Sequence, residues 1–409
     1  MRSLRIVSNS ALSSGALTHI VQDGLSATIN ILLPVLAQAF GLSYAQVGLL
    51  RGLKSVVQAT VEIGSGWISE RVGESQTLAI GLVFSGIGYA LMSFATGLTL
   101  VTAGLIVVGI GTALHHAPSS SLIASNFGAG NRSSALGLYN ASGDVGKLSL
   151  SGGFSFAMGA GLAWHQASLF YAMPTVLAAF AVFVISTQLR SRAKAAREEE
   201  NGQDDKSGLS RWGVLDWRSF GVLLATICID NMVQASVLVF TAFLVLSKGL
   251  PLWLATGSTV LLLVGGVVGK AVCGFLADRL GVRPAFTLIQ LLTALGLVAL
   301  VFSPNWLVAL MLVPLGAVVQ GSTSITYGFA ADLIHPQRMA RGYALLYASG
   351  SLAGALGPPL FGLLADWTVI GAAFYAMGGI TLLAIPLIFV LPQAAAAAAT
   401  ASATDGKAD

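Results

Sequence analysis

Runs of eighteen or more mostly apolar residues recur from one end of the chain to the other. Each is long enough to cross a hydrocarbon layer about 30 Å thick as a helix. Inside that layer the backbone has no water to bond, so a spanning segment must satisfy its amides and carbonyls internally. A helix does so. A closed barrel is the other solution, and it would show alternating segments of about ten residues, which this sequence lacks. Charged residues make up 9% of the 409 positions and apolar residues 55%. A soluble domain carries about 25% charged residues, so most of this surface faces lipid.

Twelve spans are expected, and the fold class is an all-α membrane protein of twelve transmembrane helices in two six-helix bundles. The first set covers 11–38, 44–71, 75–96, 98–125, 132–161 and 166–189. The second covers 218–247, 251–280, 283–303, 305–330, 338–366 and 369–391. The stretch "RSRAKAAREEENGQDDKSG" mixes both charge signs without apolar periodicity, and reads as a solvated, partly disordered linker. The expected division is therefore an N-terminal bundle over 1–189, a cytoplasmic linker over 190–217, a C-terminal bundle over 218–392 and a loose tail over 393–409.

Basic residues orient the spans. With the N-terminus inside, 16 of the 21 Lys and Arg fall in inner segments, while the outer gaps hold only Lys248. That asymmetry places both termini and the linker in the cytoplasm of a plasma or bacterial inner membrane. The net charge of +4 thus concerns topology and lipid headgroups rather than nucleic acid. Arg2 and Arg5 precede the polar "SNSALSSG", so no cleavable leader is expected. Cys228 and Cys273 fall within spans and are expected as reduced thiols.

The chain also repeats itself. "GWISERVG" at Gly66–Gly73 returns as "GFLADRLG" at Gly274–Gly281, 208 positions later. "ASG" at Ala141–Gly143 returns at Ala348–Gly350, and Asp23 maps onto Asp230, both at an offset of 207. Glu62 maps onto Lys270. Shared offsets argue for two related halves, as in many transporters.

Six plus six spans joined by a charged linker, with a Gly-x-x-x-Asp-Arg-x-Gly loop after spans 2 and 8, resemble the major facilitator superfamily. The loop residues are Gly66, Glu70, Arg71 and Gly73, then Gly274, Asp278, Arg279 and Gly281. The first copy departs from the pattern, with Glu70 for Asp and no basic residues in the "GES" that follows. The resemblance implies a monomeric secondary transporter without a cofactor, and a loop carboxylate and Arg that help to hold the cytoplasmic side shut. An ordinary charged helix end would also explain Arg71 and Arg279. Gly66 and Gly274 are expected to let helices approach closely. Span 1, "THIVQDGLSATINILLPVL", and "HHAPSSS" in span 4 are similar to segments of the fosmidomycin-resistance type of drug exporter, with Ala117 interrupting the His-Pro pair. The "GALGPPLFG" stretch looks like the Gly-Pro hinge of antiporters, but it lies in span 11 rather than span 5.

Eight charged residues lie well inside spans: Asp23, Arg51, Lys54, Glu62, Asp144, Lys147, Asp230 and Lys270. Each costs about 2.5–3.5 kcal/mol at the bilayer centre, so each needs a partner or a wet cavity. At about 100° per residue, His19, Asp23, Ser26 and Asn30 share one face of span 1. Arg51, Lys54, Gln58 and Glu62 share one of span 2. Asn140, Asp144, Lys147 and Ser151 align on span 5, Asp230, Gln234 and Thr241 on span 7, and Gln320, Ser324 and Tyr327 on span 10. These stripes, with His115 and His116 on span 4, fit a central cavity, while spans 3, 6, 9 and 12 face lipid. His115 and His116 are adjacent, so only one is expected to face it squarely, and a hydrogen bond within the bundle is the bland reading of either. The bland readings are a local Asp144–Lys147 ion pair, a snorkelling Arg51 and a structural Glu62–Lys270 pair.

Asp23 with His19 is the expected proton-coupling pair, and the basic residues suggest a substrate with an anionic group. The expected function is proton-driven transport of a small organic molecule, as an efflux carrier first. Uptake of a small organic anion is the alternative, and a non-transporting receptor the third reading. No Walker-type phosphate loop, zinc-like Cys/His spacing or nucleophile triad points to an enzyme or to a metal.

Overall fold

The computed structural model describes residues 10–126, 129–200, 212–335 and 339–391. Each expected span is helical. The first six are Ser10–Phe40, Tyr44–Val72, Glu74–Ser93, the pair Leu98–Ala113 and His116–Asn126, Ala129–Gly159 and Trp164–Glu200. The second six are Trp217–Ser247, Leu252–Leu280, Val282–Phe302, Asn305–Ala330, Met339–Trp367, and the pair Ile370–Leu382 and Ala384–Val390. The sixth helix continues to Glu200, into the stretch expected as linker. The tail over 393–409 lies outside the described residues.

Spans 4 and 12 are each broken, and the breaks share a cause. Pro118 is the third residue of the helix that restarts at His116, and Pro386 the third of that restarting at Ala384. Proline has no N–H for the carbonyl four residues back and its ring crowds that carbonyl, so it is easily placed in a first turn and costly deeper.

Ten of the spans are long and apolar enough to cross a membrane by composition alone. Spans 2 and 5 fall short because they carry Arg51, Lys54 and Glu62, and Asp144 and Lys147. At 29 and 31 residues they still reach about 44 and 46 Å at 1.5 Å per residue, well beyond the hydrocarbon. Spans 6 and 9 expose large apolar side chains along their length, among them Phe170, Leu177 and Phe180, and Leu295 and Phe302. Such faces suit lipid and not water.

The helices group into two compact units, Met1–Leu32 with Leu53–Leu209, and Leu33–Gly52 with Ser210–Asp409. The hairpin between spans 1 and 2 therefore counts with the second unit, although its helices continue into the first. In that second unit, Asp366 accepts hydrogen bonds from the backbone N–H groups of Tyr44 (2.9 Å) and Ala45 (2.8 Å), capping the start of span 2.

Glycine contacts set the helix spacing. A methyl group at Gly265 or Gly269 of span 8 would overlap the carbonyl of Val313 or Ala317 in span 10, and one at Gly316 that of Leu262. In the first unit, Gly88 and Gly104 bring spans 3 and 4 together in the same way. With lipid outside as apolar as the interface, close backbone packing is what holds such helices together.

Two outcomes are expected. Gly269→Leu should destabilise the detergent-solubilised protein by about 1–3 kcal/mol, read as a lower unfolding midpoint, while Gly257→Ala, where the space is open, should not lower it. Asp216 caps span 7 by accepting from the N–H groups of Arg218 (3.0 Å) and Ser219 (3.1 Å), and hydrogen bonding from Ser219 holds its carboxyl below the usual carboxylate range. Asp216→Ala should therefore cost about 1 kcal/mol at neutral pH. Because the folded carboxyl titrates lower than the unfolded one, the difference should close only as pH falls through the folded value.

Candidate functional site

In the first unit, three spans converge on one carboxylate. Asp23 is 7% exposed on span 1. His19, one turn earlier, brings Nε2 to 3.1 Å of Asp23 Oδ2. From span 4, His115 Nε2 lies 3.2 Å and His116 Nε2 3.8 Å from Oδ1. From span 5, Lys147 Nζ reaches Oδ2 at 3.0 Å and Asp144 Oδ1 at 3.4 Å. The local Asp144–Lys147 pair exists, but the shorter contact is to Asp23.

Both span 4 histidines reach Asp23, although adjacent positions on one continuous helix point about 100° apart. The 100° rule assumes a continuous helix, and this one breaks between Ala113 and His116. The break lets successive side chains turn to the same side.

Two histidines are pinned from behind. His19 Nδ1 lies 2.9 Å from the Tyr139 carbonyl oxygen, and His115 Nδ1 2.5 Å from that of Thr112. The Tyr139 ring stacks on His19 with centroids 4.2 Å apart. Span 5 approaches this closely because Gly143 and Gly146 carry no side chain. A methyl at Gly143 would meet the His19 ring, and one at Gly146 the Ile20 carbonyl.

Around this cluster, Lys54 is 1% exposed and donates to Ser26 Oγ (2.8 Å) and Gln58 Oε1 (2.7 Å). Glu62 is buried, and its Oε2 has no hydrogen-bond partner among the described residues. Asn30 is buried on the same face of span 1. Arg51 is half-buried and belongs to the second unit, so the span 2 stripe is divided.

In the second unit Asp230 is 6% exposed. It accepts from Ser322 Oγ at 2.6 Å and Gln290 Nε2 at 3.1 Å. Gln234 donates to the Val319 carbonyl (3.0 Å) and Gln320 to the Leu262 carbonyl (2.9 Å). Both amides thus tie helices together, which is a packing role. Lys270 is half-buried on span 8. Sequence reasoning missed Gln290, because span 9 was read as lipid-facing throughout. It also missed Gln22, which joins Ser85 Oγ (2.6 Å) to the Gly111 carbonyl (3.1 Å). A lone glutamine in an apolar run is the signal that would have found either one.

The doubled loop phrase resolves into turn chemistry. Gly73 and Gly281 have φ of 102° and 87°, a region that favours glycine. Each donates its N–H back to close a helix, to Ser69 (2.8 Å) and Ala277 (2.9 Å). Among the described residues, Gly66 and Gly274 show no close helix contact of the kind expected. No described atom lies within 4 Å of a methyl at Gly66, and only Ser324 Cβ, at 3.9 Å, near one at Gly274. Arg71 is exposed, and Arg279 lies 4.7 Å over the Phe275 ring. The side chains of Glu70 and Asp278 lie outside the described residues.

The chain is similar along nearly its whole length to known transporters. It is 23% identical over 381 residues to an uncharacterized MFS-type transporter of Bacillus subtilis (strain 168), covering 92% of this chain and 91% of the relative. It is 24% identical over 399 residues to the fosmidomycin resistance protein of Escherichia coli (strain K12), covering 93% and 92%. Its fold matches the E. coli xylose transporter XylE with a TM-score of 0.72 at 18% identity, over 94% and 98% of the two chains. The family model for the Major Facilitator Superfamily matches residues 15–270 and 252–407, and the chain belongs to that family.

Proposed function

We propose that this protein exports a small organic molecule by alternating access, driven by the proton gradient, with Asp230 as the group that takes and releases the proton. Family membership makes the chain a multi-pass membrane transporter rather than an enzyme. The name of the E. coli relative supports export, since resistance is what an outward carrier confers.

The observation that carries the coupling is a contrast between two carboxylates 207 positions apart. Asp23 has a counter-ion in Lys147 at 3.0 Å. Among the described residues, Asp230 meets only the neutral donors Ser322 and Gln290. A carboxyl with neutral partners can exist as acid or anion without breaking an ion pair, and a change of dielectric around it then switches its state. The sequence points first to Asp23 with His19; the Lys147 ion pair supports giving the role to Asp230 instead.

Uptake of an organic anion needs cations that face the solute. Lys54 and Lys147 instead have protein partners, so the basic content gives that alternative less support than the sequence suggests.

Cells expressing the chain should tolerate higher concentrations of at least one compound in a panel that begins with fosmidomycin. No change across the panel would count against export. With the compound so found, proteoliposomes under an imposed pH gradient should accumulate it. Asp230→Asn should abolish that accumulation while leaving exchange at equal pH intact. Accumulation by the variant at the wild-type rate would overturn the role given to Asp230.

A further inference from the structure

We infer that His19, Asp23, His115 and His116 form a binding site for one borderline divalent transition-metal ion, with zinc as the reference case. One donor atom from each of the four residues lies within 4.8 Å of the others. Nε2 of His115 and of His116 stand 3.2 and 3.8 Å from Asp23 Oδ1, and Nε2 of His19 stands 3.1 Å from Oδ2. A tetrahedral zinc with bonds of about 2.0–2.1 Å requires donors about 3.3 Å apart. The cluster is therefore close to the required size before any ion enters.

The orientation of the rings carries the inference further. A carbonyl oxygen only accepts, so the Nδ1 atoms of His19 and His115, which face the Tyr139 and Thr112 carbonyls, both bear hydrogen. Neutral rings in that tautomer turn their Nε2 lone pairs toward the Asp23 carboxylate. Lone pair against carboxylate is repulsive unless a cation lies between them. An imidazole that donates one N–H to a backbone carbonyl and offers the other nitrogen inward is also the usual arrangement of a metal-ligating histidine.

The donor set selects the ion. Three imidazoles and one carboxylate suit zinc, cobalt, nickel or copper, whereas magnesium and calcium prefer oxygen. Lys147 Nζ shares Oδ2 with His19, while His115 and His116 converge on Oδ1, which leaves Oδ1 to meet the ion. The carboxylate then bridges ammonium and ion. Bound there, the ion would tie span 1 to the break in span 4. This inference does not rest on the transport reading, whose coupling group Asp230 lies in the other unit.

The test uses the full chain, purified without a histidine tag and stripped with a chelator, then titrated with cobalt(II). We expect the intense visible absorption of four-coordinate cobalt, saturating at one ion per chain and erased by one equivalent of zinc. His115→Gln and His116→Gln should each weaken cobalt binding at least about tenfold. His165→Gln, whose ring instead meets the Ala95 carbonyl at 2.9 Å, should not. Gel filtration and circular dichroism establish that each variant is folded. His19→Gln serves as the replacement if either span 4 variant is not. Only the weak spectrum of six-coordinate cobalt, or four-coordinate binding that survives all folded cluster variants, would overturn the site. The first of those results would leave a proton as the cation between the imidazoles and Asp23.

Discussion

A carboxylate in hydrocarbon is tolerable only in company, and the first half of this protein is arranged around that requirement. Asp23 draws partners from spans 1, 4 and 5, with Lys147 and His19 on one oxygen and the span 4 histidines on the other. Left alone, a charge at that depth costs about 2.5–3.5 kcal/mol. The partners reach it because the backbones come unusually close. Gly143 and Gly146 let span 5 press against His19 and Ile20, and the break in span 4 turns His115 and His116 the same way. Packing and electrostatics are thus one constraint here.

The second half repeats the packing without repeating the chemistry. Gly350 of the second "ASG" faces Asn231 of span 7, as Gly143 of the first faces His19 of span 1. Gly357 then closes on the Met232 carbonyl. Yet Asp230 meets a serine and a glutamine where Asp23 meets three imidazoles and an ammonium. The duplicated glycine leaves room against the facing helix in both halves, and the side chains projecting into the gap are free to differ. The same holds for the loop phrase. Gly73 and Gly281 are equivalent turns at positive φ, while the residues around them are not the same.

Much of the fold was legible because lipid simplifies the reading. A spanning segment must satisfy its own backbone, so apolar length alone announces a helix. The helix Asn305–Ala330 begins and ends where the hydropathy says it should. Where a local signal competed with length, the reading was coarser. Pro118 and Pro386 each announce a restart, but both sit inside apolar runs that read as continuous. At Gly66 and Gly274 a small residue suggested close packing that the described residues do not show, because a glycine marks permission for contact and cannot supply the neighbour.

The site was legible as a set of residues and not as an arrangement. His19, Asp23, His115, Asp144 and Lys147 stand out because polar side chains are rare and expensive in these spans. Which of them touch depends on spacing across helices far apart in sequence, and no periodicity along one helix encodes it. Sequence alone determined the helices, their number and the duplication, since each follows from local length and composition in a solvent without hydrogen bonds. Only the tertiary structure decided that Lys147 belongs to Asp23 and that Gln234 and Gln320 hold helices together. It also decided that Asp230 stands among neutral donors, because a partner is chosen by the distance between backbones, and that distance exists only once the helices pack.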